Sequence, residues 1–254
     1  MERRDFLKVI TGGVIGATLF KCADKNIVQA NANADLHIDC FGDSTTWGAD
    51  GIGKGDGPAK SWTTHLKSLI GVNDINNIGK KGSRFAITSD RKDSFVERLS
   101  KVRADSNLVI VMGGVNDFNN GVPLGKFGSK DTHTFYGAVE TVLTTLINQN
   151  PSRYIVFMTP MKSNFKHPTK NYPNSFQKNS QNLNSVDYVN AIKEVCNAYS
   201  VPIIDMYNES GVSPFNEAQQ KMYSPDGLHY NEEGYKRLAK RIAAGLRAII
   251  YEIK

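Results

Sequence analysis

Leu36 to Gly48 reads LHIDCFGDSTTWG, an apolar run (Leu36, Ile38, Cys40, Phe41) that breaks abruptly into Gly42-Asp43-Ser44-Thr45-Thr46. A short apolar run bounded by a turn signal reads as a buried strand that ends at a tight turn. The turn leaves Ser44 at the carboxyl end of that strand, the edge where open α/β sheets collect their ligand sites. A serine placed there is a candidate nucleophile, provided a base can reach it.

Upstream of this strand, residues 1–34 are set apart from the fold. Arg3-Arg4-Asp5-Phe6-Leu7-Lys8 precedes an apolar stretch from Val9 to Phe20, and two A-x-A steps follow, Ala30-Asn31-Ala32 and Ala32-Asn33-Ala34. Paired arginines before a short apolar region and small-residue cleavage sites read as an export leader, and the RRDFLK string resembles a bacterial twin-arginine signal. The apolar stretch is shorter than the ~20 residues needed to cross a bilayer, so no stable membrane insertion is expected. Cys22 invites a lipoprotein reading, but Lys21 before it fits poorly with the small residue such a site prefers. The expected location is periplasmic or extracellular.

The remainder, 35–254, reads as one domain. The chain has 254 residues, 40% hydrophobic and 22% charged, with no linker tract or repeat, which suits one substantial core. Its net charge of +6 is partly a property of the leader. The rest of the positive charge is scattered without basic blocks, so a nucleic-acid partner is not expected. Cys40 and Cys196 are too few for a disulfide framework and read as reduced core residues, although their spacing leaves open whether they meet.

Downstream, Gly48 to Lys60 is glycine-rich and reads as a loop on the rim of Ser44. It is not a phosphate cradle, because Gly55 rather than Ser or Thr follows Lys54. Ser61 caps a short helix carrying Trp62, His65, Leu66 and Leu69, with His65 expected to be a hydrogen-bonded structural residue. Asp74–Gly79 reads as a second strand, 93–104 as helical, and Leu108–Met112 as a buried strand ending at Gly113-Gly114-Val115-Asn116-Asp117. A helix over Thr134–Ile147 and a strand over Tyr154–Met158 follow. After a polar loop from Met161 to about Gln181 come a helix (Leu183–Tyr199), a strand (Val201–Met206) and a closing helix from about Asn231 to Tyr251. Strands alternating with helices imply βαβ units and a three-layer α/β/α sandwich on a mostly parallel sheet of about five strands. Right-handed crossovers put every strand's carboxyl end on one edge, where Ser44, Gly82, Asn116 and Pro160 should converge.

Four blocks stand in order: Gly42-Asp43-Ser44, Gly82, Gly114-Val115-Asn116-Asp117 and Asp226-Gly227-Leu228-His229. Together they resemble the SGNH, or GDSL-type, hydrolase superfamily, and the likeness extends from about Leu36 to the last helix. The resemblance implies a flavodoxin-like fold. It also implies Ser44 as nucleophile, His229 as base, Asp226 as the orienting acid, and an oxyanion hole from the Ser44 and Gly82 N–H groups and the Asn116 amide. The chemistry suits these residue types. A serine hydroxyl needs a base to take its proton, imidazole can accept and return one near neutral pH, and a carboxylate can hold the imidazole tautomer. Asp43 and Asp117 are expected to fix loops. One departure is Thr45, where the family's nickname has Leu.

These readings imply a serine esterase acting on acetyl or other short-chain esters of a carbohydrate, with no cofactor and no metal. The substrate expected is a small acyl ester, such as an acetylated glycan. Trp47, Phe165, Tyr172 and Phe176 are candidate stacking surfaces for sugar rings. A lysophospholipase or thioesterase of the same superfamily, an acyltransferase, and a non-catalytic carbohydrate-binding module on this scaffold are the alternatives.

Overall fold

A computed structural model describes residues 35–53 and 56–253. The export leader with Cys22 and its cleavage sites, and Lys54-Gly55 of the glycine-rich loop, lie outside the described residues.

Five parallel strands form one sheet in the order β2-β1-β3-β4-β5. They are β1 (His37–Gly42), β2 (Asp74–Gly79), β3 (Leu108–Met112), β4 (Tyr154–Met158) and β5 (Ile203–Ile204). Side chains alternate across a strand, so each apolar run feeds two cores. Ile38, Cys40, Leu108, Ile110, Met112, Val156 and Met158 point to one face, whereas Phe41, Val109, Val111, Ile155 and Phe157 point to the other. This two-faced burial is why the strands read as continuous apolar runs rather than alternating ones.

Helices cover both faces. On the first lie α2 (Trp62–Ile70) and the closing helix α8 (Glu232–Glu252), which contribute Trp62, Leu66, Tyr235, Leu238, Ile242 and Leu246 to the core. On the second lie α4 (Phe135–Gln149), α5 (Ser185–Ala198) and a 3-10 turn over Val96–Lys101. Short helices α1 (Ser44–Trp47), α3 (Val115–Asn119), α6 (Met206–Glu209) and α7 (Glu217–Tyr223) sit in the connections. Cys40 and Cys196 are buried free thiols, one in each core.

Two elements differ from expectation. Only Val96–Lys101 of 93–104 is helical, and as a 3-10 turn. The chain leaves it because Arg103 is committed elsewhere: its N–H and Nε each donate to the buried Asp39 carboxylate at 2.7 Å. The fifth strand shrinks to Ile203–Ile204. Pro202 has no N–H to add to a ladder, and Asp205 turns the chain by accepting from the Asn208 N–H as the cap of α6.

Because β2 and β3 flank β1, the strand order reverses beside Ser44. In open α/β sheets that reversal opens a crevice outside the carboxyl ends of the strands.

Candidate active site

The turn after β1 is set by contact. A Cβ on Gly42 would lie 2.0 Å from the Thr46 hydroxyl, so a larger residue could not let α1 fold back on the strand end. Asp43 caps that helix: its Oδ1 accepts from the Thr45 N–H at 2.9 Å and the Thr45 hydroxyl at 2.8 Å. Burial raises the Asp43 carboxyl above its ordinary range against these bonds and the nearby charges of His229 and Arg98. Ser44 follows as the first residue of α1, a position whose N–H has no acceptor within the helix.

His229 and Asp226 reach Ser44 from the loop between α7 and α8. The Ser44 hydroxyl lies 2.9 Å from His229 Nε2, and His229 Nδ1 lies 2.7 Å from Asp226 Oδ2. An ionised carboxylate only accepts, so Nδ1 carries the proton and Nε2 is free to accept from Ser44. The other Asp226 oxygen accepts from the Leu228 and His229 N–H groups at 2.9 and 2.7 Å. Burial opposes ionisation of Asp226, but the His229 side chain and these two N–H groups outweigh it and hold its carboxyl below the usual range. One aspartate thus shapes its own turn and aims the imidazole. The resulting relay can take a proton from a serine hydroxyl and hand it back.

The glycine-rich loop is more than a rim. Gly51 backs onto Asp226, where a Cβ would sit 2.6 Å from the carboxylate. Tyr235 of α8 anchors the same loop, its hydroxyl donating to the Ala49 carbonyl at 2.7 Å.

Gly82 and Asn116 occupy the loops after β2 and β3. Gly82 has φ +74°, and a Cβ there would press on the Arg91 guanidinium at 2.9 Å, which accounts for glycine. The Asn116 amide donates to the Ser83 carbonyl at 3.0 Å, leaving its second N–H for another acceptor. Asp117 accepts from the Phe85 and Ala86 N–H groups at 2.9 and 3.1 Å. As expected, Asp43 and Asp117 hold loops, although Asp117 does so across 32 residues of sequence.

Arg98 was not singled out in the sequence. It stacks on Phe41 and Phe95 and donates to Gly42 O, Ile78 O, Asp93 O and Ser83 Oγ at 2.8–3.0 Å. A single guanidinium thereby joins the ends of β1 and β2 to the Gly82–Ser83 loop. Burial lowers it to about 10 despite Asp93 and Asp43 nearby. Its sequence setting, an arginine in an amphipathic stretch, carries no mark of this role.

Other expectations sort themselves by place. Phe165 meets the His229 ring edge-on at 5.5 Å and stacks with Tyr172 at 5.9 Å. Trp47 instead carries Lys81 over its ring at 4.1 Å, and Phe176 packs on Phe215. His65 lines a separate cavity between α2 and α8. Its Nε2 is buried without a hydrogen-bond partner, contrary to the expected hydrogen bonding, because none of the polar side chains that share this cavity with it reaches the ring nitrogen. Among the described residues no cluster of three or more His, Cys, Asp or Glu is placed to hold a metal ion.

The family model for GDSL-like lipase/acylhydrolases matches residues 40–237. The chain belongs to that family. No curated protein matches it. Among solved structures, one crystal structure matches this GDSL-like chain at 52% identity and TM-score 0.81, covering 84% of this chain and 96% of its own. A structure from Lactobacillus plantarum matches at 27% identity and TM-score 0.71, covering 85% and 98%. A carbohydrate acetylesterase from Sinorhizobium meliloti matches at 18% identity and TM-score 0.61, covering 84% and 99%. At that identity the last likeness speaks to the GDSL-family fold alone.

Proposed function

We propose that this GDSL-family hydrolase is a serine esterase that removes acetyl or other short-chain acyl groups from carbohydrate through an acyl-enzyme on Ser44. The observation carrying this reading is the unbroken hydrogen-bond chain Ser44–His229–Asp226 at 2.9 and 2.7 Å. In the forward step Ser44 Oγ attacks the ester carbonyl while its proton passes to His229 Nε2. The Ser44 and Gly82 N–H groups and the Asn116 amide receive the charge that develops on the carbonyl oxygen. As the ester C–O bond breaks, His229 returns the proton to the departing alcohol. Water then enters, gives a proton to His229 and attacks the acyl carbon, and the proton goes back to Ser44 as the acid leaves.

The carbohydrate draws on Phe165, which meets the His229 ring, and on Tyr172 stacked behind it; the sequence, which has no long apolar lid segment, favours short acyl chains. The same fold also serves a carbohydrate acetylesterase in Sinorhizobium meliloti, although a fold hosts many functions. Residues 1–34, as an export leader, would bring the enzyme to periplasmic or extracellular glycans. The test is hydrolysis of p-nitrophenyl esters from acetate to palmitate, with Ser44→Ala in parallel. The expected result is turnover greatest on acetate or butyrate and reduced about 10⁴-fold or more in the variant. A long-chain optimum would favour the lysophospholipase reading, and turnover indifferent to Ser44 would remove the nucleophile.

A further inference from the structure

Beside His229 lies a cavity of about 240 Å³ formed by the segment Asn164–Gln177, smaller than the ~300–1,000 Å³ of drug-sized sites and suited to a single ring. Its wall is bolted to the acid's own turn: the Asn164 N–H donates to Gly227 O at 2.8 Å and the Lys166 N–H to Asp226 O at 3.0 Å. Phe165 lines the cavity and meets the His229 imidazole edge-on. The cavity therefore keeps a fixed relation to the atom that protonates the leaving group. An alcohol that takes its proton from His229 departs beside the imidazole, and the cavity wall touches that imidazole through Phe165.

The lining is rich in donors. Gln177 Oε1 is occupied by the Asn174 N–H, and Asn174 Oδ1 by the Phe176 N–H, each at 2.9 Å. Their NH₂ groups are thereby left as donors for another partner. His167 Nδ1 accepts from the Thr169 and Lys170 N–H groups, both at 3.1 Å, so its proton sits on Nε2. Lys166 and Lys170 add two ammonium groups, and no carboxylate is among the described residues that line the cavity. Donors and positive charge without a compensating acid suit a ligand rich in acceptors and negatively charged. Tyr172 stacks on Phe165 and carries Lys170 over its ring at 5.7 Å, which holds that ammonium at the cavity.

We infer that this cavity holds the alcohol half of the substrate, and that this half is an anionic sugar whose carboxylate or phosphate meets Lys166 and Lys170. The inference rests on the esterase reading for its place in the reaction. Its recognition chemistry stands apart from turnover and is tested separately.

The first arm titrates the full-length Ser44→Ala protein with glucuronate, glucose 6-phosphate and glucose at low salt. The expected result is binding of at least one anionic sugar ten-fold or more tighter than glucose, weakened by 0.5 M NaCl and by Lys166→Gln/Lys170→Gln. The stronger anion identifies carboxylate or phosphate. Equal binding of all three, or a preference untouched by the double substitution, overturns the inference. The second arm compares kcat/KM of the wild type on matched acetylated anionic and neutral methyl glycosides. A ten-fold preference that falls below three-fold in the double variant is expected, and equal values overturn the assignment to the leaving group. Absence of Ser44-dependent turnover on any p-nitrophenyl ester would sink the esterase reading, while the titration would still decide the subsite.

Discussion

Around Gly82 and Asn116 the chain is cross-linked by buried polar groups: Arg98 spans three segments, Asp117 holds two N–H groups, and Asn116 clips Ser83. Around Asp226 and His229 the chain holds mainly to itself: Asp226 accepts from the Leu228 and His229 N–H groups and the His229 ring, and neighbouring loops add two backbone hydrogen bonds, one aromatic edge and a glycine seated on the acid. The first flank is fixed to the strand ends of the sheet. The second is made of loop set against loop, with Phe165 only half-buried and Lys166 and Lys170 exposed. Charge developing on a carbonyl oxygen is always the same small target, so its donors gain from rigidity. A leaving group differs between substrates, and a segment that carries recognition belongs on an adaptable loop.

That contrast can be broken in order of size. Asn116→Ala should lower kcat by roughly 10²–10³ with little change in KM, the usual loss for one oxyanion donor; steady-state kinetics on a short ester reads it. An undiminished kcat would remove Asn116 from the reacting flank. Arg98→Met keeps the apolar stem but orphans several buried acceptors, and should cost about 3 kcal/mol in urea unfolding. A loss below about 1 kcal/mol would mean that the first flank is no more rigid than the second. Phe165→Ala should do the reverse: roughly 2–10-fold in kcat/KM, from an aromatic contact of ~0.5–1.5 kcal/mol, with the unfolding midpoint nearly unmoved. A large drop in stability there would merge the two flanks.

The smallest effect is one of pH. Burial drives the Asp117 carboxyl up from 3.8 to about 7, against the hydrogen bonds from Ala86 and Phe85. Between those values the folded protein keeps a proton that the unfolded chain releases, so the stability contributed by Asp117 falls as pH rises. Asn at this position does not titrate. The wild type's margin over Asp117→Asn in urea unfolding should therefore shrink from pH 4 to pH 7. A margin independent of pH would show that Asp117 holds the same charge folded and unfolded.

The third and fourth strands and most helices were legible because burial on both faces forces continuous apolar runs, as in Leu108–Met112 and Tyr154–Met158. Ser44, Asp226 and His229 were legible as residue types in order, and the structure brings them into one hydrogen-bonded chain. What local sequence did not reveal depends on distant partners. Arg103 ends the 3-10 turn because its partner Asp39 stands on β1, 64 residues earlier in the sequence. Arg98 acts through carbonyl groups, which every residue possesses and no sequence pattern marks. Gly51 looked like loop flexibility until its contact with Asp226 gave it a neighbour. The donor-rich cavity was hidden for a similar reason, since Asn174 and Gln177 keep their NH₂ groups as donors once nearby N–H groups claim their oxygens.

Tyr235 reaches Ala49 across 186 residues, and His229 reaches Ser44 across 185. The candidate nucleophile and the groups placed to activate it lie in widely separated parts of the sequence, so folding alone brings them together. Contacts of such long sequence separation also form late in folding, because their loop-closure entropy must be met first. The Ser44–His229 contact should accordingly be among the last to form.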